Sequence, residues 1–233
     1  VLAQVSRLHA SPPLAVVAVS GAGGQALHWL LAVAGASRTL LEAQIPYSKR
    51  SLSRYLGSEP VQAASAATAM EMARAAFVRA LQLRDAGAPI FGVGCAASIA
   101  TDRPKRGDHS CHVAAWTPTH RVSYSVTLVK GLRDRAGEEG VASTLVLRAL
   151  AEASEVDFDL PMWLDEREKL LIDRAAHPDP IRALLAGCKD MGIRKVVVDH
   201  PFFTKIPVEA QEEIARAGAY INYAYWDICP KFY

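Results

Sequence analysis

An α/β sandwich with a mixed sheet is the fold that this sequence of 233 residues predicts, and three features predict it. Residues 14–19 (LAVVAV) are wholly apolar and rich in valine, which is typical of a strand buried on both faces. A glycine-rich turn and a helical pattern follow, and strand and helix patterns continue to alternate along the chain. Residues 112–130 predict a hairpin with Pro118 in its turn, and this antiparallel pair makes the sheet mixed.

Apolar spacing and turn-forming residues predict the other elements of the first 153 residues. Pro12 and Pro13 end a first short helix, and Gly57 ends a short basic helix. The clearest helix carries an apolar face of methionine, alanine, phenylalanine and leucine at helical spacing. The predicted helices are 1–9, 24–33, 48–56, 68–83 and 141–153, and the predicted strands outside the hairpin are 14–19, 39–45 and 89–99.

A change of composition at residues 154–163 (SEVDFDLPMW) predicts a linker between two regions, because the stretch is acidic and ends near a proline. We therefore expect an α/β domain over 1–153 and a small C-terminal α/β segment over 164–233. Within this segment we expect helices at 165–175, 180–191 and 208–217 and strands within 194–201 and 219–226. About seventy residues are too few for a complete barrel, so the segment is interpreted as a small βα unit, at most part of a barrel-type unit.

Composition excludes several classes of function. Hydrophobic residues make up 51% of the chain and charged residues 21%, as in a folded globular protein. The net charge of +2 gives no basic surface for nucleic acid, and no apolar run reaches the length of a membrane span. No secretory signal pattern opens the chain, and the four cysteines lack a paired spacing. We therefore expect a cytoplasmic protein with reduced thiols, and neither nucleic acid nor membrane as a partner.

The turn Ser20-Gly21-Ala22-Gly23-Gly24 is the strongest candidate site. Backbone N–H groups at the start of a helix favour anions, and Gly23 and Gly24 would let a ligand approach the backbone. Ser20 ends a buried strand, where α/β proteins place their sites. The hydroxyl could attack a carbonyl while the glycine amides hold the oxyanion, or the same loop could hold a phosphate. A tight turn with a helix-capping serine is the structural alternative.

The order of four motifs resembles the C-terminal domain of the competence-damage-inducible protein CinA, the nicotinamide mononucleotide amidohydrolase family. That family has a Ser-Cys-Thr-Gly-Gly turn where this chain has SGAGG at 20–24. The stretches IPYSKRSLSRYLG and GVGCAASIATDRPKRG and the triplet Gly131-Leu132-Arg133 follow in the family's order. The resemblance covers about residues 1–154. It is closer still to the variant form that precedes a nucleotidylyltransferase-like domain in plants, on the phrases VSGAGGQAL, PYS and RPK.

The resemblance implies a three-layer α/β/α sandwich that hydrolyses the carboxamide of nicotinamide mononucleotide to the acid and ammonia. Ser20 would occupy the family's serine position, as nucleophile or as a donor to the substrate. Tyr47 and Arg133 would flank this small nucleotide, and Gly23 and Gly24 would form the cradle. No cofactor is implied. Since such domains commonly self-associate, a homo-oligomer or a subunit of a larger assembly is expected.

Two departures from the family pattern favour a second hypothesis. Ala22 stands where the family has threonine, and Leu52 stands where it has lysine. A serine needs a base to become a nucleophile, and Lys49 is the best substitute for the missing lysine. The alternative is therefore a non-catalytic module that binds a nucleotide or a partner.

Two other stretches carry weaker candidates. In the loop 101–112, Arg103 and its basic neighbours could meet a phosphate, although a solvated loop is the favoured interpretation. His109 and His112 fall on opposite faces of a strand, which disfavours zinc. Residues 180–233 resemble part of an uncharacterised barrel family related to amidohydrolases, and His200 is a weak candidate metal ligand there. A metal site needs three or more ligands, so we expect none.

Overall fold

A computed structural model describes residues 1–85, 87–103 and 106–176, and the backbone of residues 197–198 and 220–221. Five α-helices are present in this part of the chain, α1 (Leu2–Ala10), α2 (Gly24–Ala32), α3 (Lys49–Leu56), α4 (Ala66–Leu83) and α5 (Arg135–Ala153), with one short 3-10 helix at Ala36–Arg38. The strands are β1 (Leu14–Ser20), β2 (Leu40–Gln44), β3 (Ile90–Ser98), β4 (His109–Trp116), β5 (His120–Leu128), β6 (Leu171–Ala176), β7 (Val197–Val198) and β8 (Tyr220–Ile221). The elements predicted for the first 153 residues are confirmed, with ends shifted by a few residues.

Strands β1 to β6 form one mixed sheet in the order β2-β1-β3-β4-β5-β6. Strand β1 is parallel to both β2 and β3, while β3, β4, β5 and β6 pair antiparallel. One line of register crosses four strands, joining Ser20 to Ala96, Ala96 to His112, and His112 to Ser125. Because paired residues share a face of the sheet, these four side chains lie on the same face.

Helices cover both faces, which confirms a three-layer α/β/α sandwich. One core includes Leu8 of α1, Leu30 of α2 and Leu145 of α5, packed against side chains such as Val17. The other core packs Leu52 of α3 and the apolar face of α4 against the opposite side of β1 and β3. The sheet thus satisfies its backbone hydrogen bonds while both faces exclude water.

Two glycines of β3 set the depth of α4 in the second core. A Cβ atom at Gly92 would lie 2.2 Å from the Ala73 carbonyl oxygen, and one at Gly94 would lie 2.3 Å from the Ala69 carbonyl oxygen. The alternation of glycine with Val93 and Cys95 therefore gives β3 one bare face on which helix backbone rests.

The helix predicted over residues 165–175 is wrong, because residues 171–176 form strand β6. Ser125 pairs with Leu171 and His120 with Ala176, so β6 completes the hydrogen bonding of the β5 edge. Tertiary pairing outweighs the local helical spacing. The structure consequently places residues 164–176 with the first unit, whereas the sequence assigned them to the second.

The stretch predicted as a linker, 154–163, packs on the first unit as well. Val156, Phe158, Leu160 and Met162 are partly buried against the core that contains α5. The Gln4 side-chain amide donates to the Asp157 carbonyl oxygen at 2.9 Å and accepts from the Asp159 amide at 3.2 Å. This acidic stretch therefore runs along α1 and is part of the folded unit.

In the C-terminal segment, β7 and β8 form a parallel pair that joins Val197 to Tyr220 and Val198 to Ile221. Both lie within the predicted strands. The helices predicted over 180–191 and 208–217, and His200, lie outside the described residues. Among the helices that the structure describes, none has the length and apolarity needed to span a membrane.

Candidate functional site

Ser20 occupies the carboxyl end of β1, as the sequence predicts, with its side chain toward the face that α3 and α4 cover. Only 9% of the residue is exposed. Its Oγ donates a hydrogen bond to the carbonyl oxygen of Pro46 at 3.0 Å. The hydroxyl proton therefore points to the backbone that follows β2.

The glycine turn after Ser20 is shaped by close backbone contact. Gly21 has a φ of +85°, and a Cβ atom there would lie 1.8 Å from the Ala97 carbonyl oxygen, so only glycine fits. Gly23, with a φ of +97°, is the N-cap residue of α2 and supplies no capping side chain. The first amides of α2 therefore have no acceptor from their own N-cap residue.

Glu139 supplies that acceptor from the first turns of α5. Its two carboxylate oxygens lie 3.0 and 3.1 Å from the Gly23 amide nitrogen, and Oε1 lies 3.0 Å from the Gln25 amide nitrogen. The Ser143 hydroxyl donates to the same Oε1 at 3.2 Å. The amides of the turn thus donate to a carboxylate side chain of the same protein. Gly24 lies beside it, since a Cβ atom there would be 3.7 Å from Oε1.

The structure does not join the predicted base to the predicted nucleophile. Lys49 begins α3 and forms an ion pair of 2.6 Å with Glu59, and both side chains are mostly exposed. Tyr47 is 65% exposed and precedes the N-cap residue of α3. Since the hydroxyl of Ser20 donates to backbone, the contacts described here contain no Ser–Lys pair.

Arg133 is engaged in an ion pair with a buried carboxylate. Its Nη1 and Nη2 atoms donate to the two carboxylate oxygens of Glu168, each at 2.7 Å, and Nη2 also donates to the Trp163 carbonyl oxygen. Hydrogen bonding to Glu168 raises the pKa of Arg133 against the effect of burial. Burial favours the protonated form of Glu168, but the hydrogen bonds from Arg133, Asp165 and Val129 outweigh it, so its pKa lies below the ordinary value. The arginine predicted to flank a substrate thus pairs with a carboxylate of the chain in this structure.

Glu138 makes a matching contact at the end of β3. Its carboxylate is fully buried, and it accepts from the Ala100 amide at 2.7 Å and lies 2.7 Å from Nδ1 of His109. Two consecutive acids of α5 therefore accept hydrogen bonds from backbone amides that follow two neighbouring strands: Glu139 from those after β1, and Glu138 from the one after β3. Glu138, Glu139 and Glu168 were not predicted as site residues. The available signal for the first two was an acidic pair just before the helix predicted over 141–153, which in the structure begins at Arg135.

The remaining candidates lie apart from the turn. Arg103 is exposed, and its carbonyl oxygen accepts from the Thr101 hydroxyl at 2.7 Å; its neighbours Pro104 and Lys105 lie outside the described residues. His112 contacts the Ser125 hydroxyl through Nδ1 at 2.9 Å, and burial lowers its pKa. In the part of the chain that the structure covers, no three side chains of histidine, cysteine, aspartate or glutamate are grouped to hold a metal ion.

Comparison with solved structures gives the same fold in competence-damage-inducible proteins. The protein CihA from Agrobacterium tumefaciens matches with a TM-score of 0.54 and 17% identity, over 65% of this chain and 94% of that one. The competence damage-inducible protein A (ComA) from Klebsiella pneumoniae matches with a TM-score of 0.51 and 19% identity, over 65% of this chain and 92% of that one. The competence or damage-inducible protein from Enterobacter asburiae matches with a TM-score of 0.50 and 17% identity, over 66% of this chain and 96% of that one.

Sequence comparisons add no family assignment. No family model matches the chain, and no curated protein matches it. The structural likeness therefore establishes the fold, while the resemblance to the plant variant stays a prediction.

Proposed function

We propose that this chain is a CinA-like domain that keeps the scaffold of an amidohydrolase, has lost hydrolysis, and acts as a non-catalytic binding module. The shared fold and the ordered motifs over residues 1–154 support the CinA-like part of this proposal. The loss of hydrolysis rests on the contacts at the turn.

The carboxylate of Glu139 is the observation that carries the proposal. An oxyanion in a hydrolytic reaction needs backbone donors that are free to hold it as its charge develops. Here the Gly23 and Gln25 amides both donate to Glu139. A second negative charge at the same amides would meet repulsion from this carboxylate.

The other groups that hydrolysis would use are also engaged. Ser20 donates to the Pro46 carbonyl oxygen rather than to a base, Lys49 pairs with Glu59, and Arg133 pairs with Glu168. A nucleophile is activated by a base within about 3 Å, and none of these contacts provides one. The geometry at the turn therefore argues against turnover.

Ammonia release from nicotinamide mononucleotide tests this function. We expect the purified 233-residue chain to release no more ammonia than buffer, and Ser20→Ala to change nothing. Ammonia release that Ser20→Ala abolishes would contradict the proposal.

A second candidate function is hydrolysis in which a substrate anion displaces Glu139. The observation in its favour is that the turn does bind a carboxylate, so its amides point at one anion position. On this hypothesis Glu139→Ala raises ammonia release and the additional change Ser20→Ala removes the gain. Glu166→Ala, an exposed acid on the segment before β6, is the matched control. If Glu139→Ala releases no ammonia, this second candidate fails.

The non-catalytic proposal also predicts that the chain binds a nucleotide or a partner protein. We expect calorimetry to detect association with a nucleotide without turnover, or another protein to co-purify stably with the chain. Light scattering after size exclusion would report the expected self-association. Finding a monomer with neither kind of ligand would count against the module.

A further inference from the structure

A groove of about 290 Å³ lies between the first turns of α2 and the first turns of α5. Trp29 of α2 and Trp163 of the segment before β6 both line it, although 134 residues separate them in sequence. Ser20 faces the opposite side of the sheet, and neither Ser20 nor Lys49 lines this groove. We infer that it binds a planar heteroaromatic ring of the nucleobase class.

Trp163 carries the first part of the argument. Its side chain is 70% exposed and its φ is +53°, a left-handed conformation that bulky residues rarely adopt. Both features disfavour this placement in isolation, and such outliers concentrate at ligand sites. Arg133 holds the residue there by donating to its carbonyl oxygen, and Glu168 fixes Arg133. The ion pair between Arg133 and the buried Glu168 therefore positions an exposed indole at the groove.

The wall formed by α5 carries the second part. Gly137 and Gly140 line the groove one helical turn apart. A Cβ atom at Gly140 would meet nothing closer than the Gln25 side-chain oxygen at 3.9 Å, so helix packing does not require glycine there. Glycine inside a helix is less stable than alanine, yet here it keeps the groove open.

Chemistry selects the ligand class. Aromatic side chains bind bases by stacking, and a groove of this volume holds a small ring system rather than a peptide. The side-chain amide of Gln25 lies at the groove and makes no hydrogen bond within the described part of the chain. It can both donate to and accept from the edge of a nucleobase. The inferred site deepens the proposed function and rests on its binding part, because it would supply a place for the base of a nucleotide; it does not depend on the loss of hydrolysis.

Ligand-observed saturation-transfer NMR on the full chain tests the site, with adenosine as the probe and ribose as the matched ligand without a ring. We expect saturation of the adenine protons and none of free ribose. Trp163→Ala should weaken adenosine binding about tenfold or more, while Trp163→Phe should retain most of it. Gly140→Leu should abolish binding by filling the groove at a position with room for a side chain. Val61→Ala, a fully exposed residue between α3 and α4, should bind as the parent does.

If adenosine at about millimolar concentration receives no saturation from the protein, the inference is overturned. Equal affinity of the parent, Trp163→Ala and Gly140→Leu would overturn it as well, since binding would then occur elsewhere. If Trp163→Ala does not fold, Gly140→Leu decides the question. Ammonia assays are independent of this readout, so failure of the groove and failure of the proposed loss of hydrolysis are distinguishable.

Discussion

Replacing Glu139 by alanine should destabilise the protein measurably, because this carboxylate is the cap of α2. The change removes the acceptor of the Gly23 amide, the Gln25 amide and the Ser143 hydroxyl together. Gly23 supplies no side-chain cap of its own, so the two amides would turn to water or stay unpaired.

The expected magnitude follows from three general values. A lost N-cap costs about 1 kcal/mol, and hydrogen bonds to a charged group contribute about 1.5–3 kcal/mol. The attraction between a carboxylate and the helix N-terminus adds about 0.3–1 kcal/mol and overlaps with the other two. Because these contributions describe the same contacts, we expect a net loss of about 2 kcal/mol. For a domain of this size that lowers the melting temperature by about 4–8 °C.

Guanidinium unfolding followed by circular dichroism measures this loss as a shift of the midpoint. Glu139→Gln keeps one oxygen acceptor and should lose about 1 kcal/mol. Glu166→Ala is the control, since that residue is exposed on a different segment. A free energy of unfolding for Glu139→Ala within about 0.5 kcal/mol of the parent, the range of ordinary surface changes, would refute the capping role.

Three further outcomes follow from single contacts. Gly21→Ala should cost more than about 3 kcal/mol, because its Cβ would lie 1.8 Å from the Ala97 carbonyl oxygen at a positive φ; a soluble variant with parent-like melting would disprove this. The lowered pKa of Glu168 means that its pairing with Arg133 stabilises the fold above pH 4.5 and is lost as the pH falls below that value. Glu168→Gln should therefore flatten the acid limb of a stability-against-pH curve, and an unchanged limb would rule out this linkage. A hydrogen bond with the Cys111 thiol, and then burial, raise the pKa of Cys95. Because the thiolate is the reactive form, iodoacetamide should label Cys95 only after unfolding, and mass spectrometry of its peptide measures this; labelling of the folded protein would contradict it.

The sequence predicts local features of this fold well. Periodicity locates the strand and helix that flank Ser20, and the glycines after it predict a turn with exposed amides. What the amides bind is not a local property. Glu139 lies 114 residues beyond Gln25, and periodicity contains no information about which acid reaches which turn.

Strand β6 shows the same limit at the edge of the sheet. Residues 165–175 have helical spacing, but the edge of β5 offers backbone hydrogen bonds to residues 171–176, which pair with it as a strand. Likewise, Arg133 was predicted beside a substrate from the motif around it, whereas Glu168, 35 residues further on, determines where its guanidinium lies.

The cap that α5 provides has a consequence for biosynthesis. The amides at Gly23 and Gln25 leave the ribosome more than a hundred residues before the side chain that satisfies them. In nascent chains that end before Arg135, the Gly23 and Gln25 amides between β1 and α2 therefore lack their Glu139 acceptor. Contacts of such long sequence separation also form slowly. Translation must pass through α5 before the amino-terminal half can reach its final state.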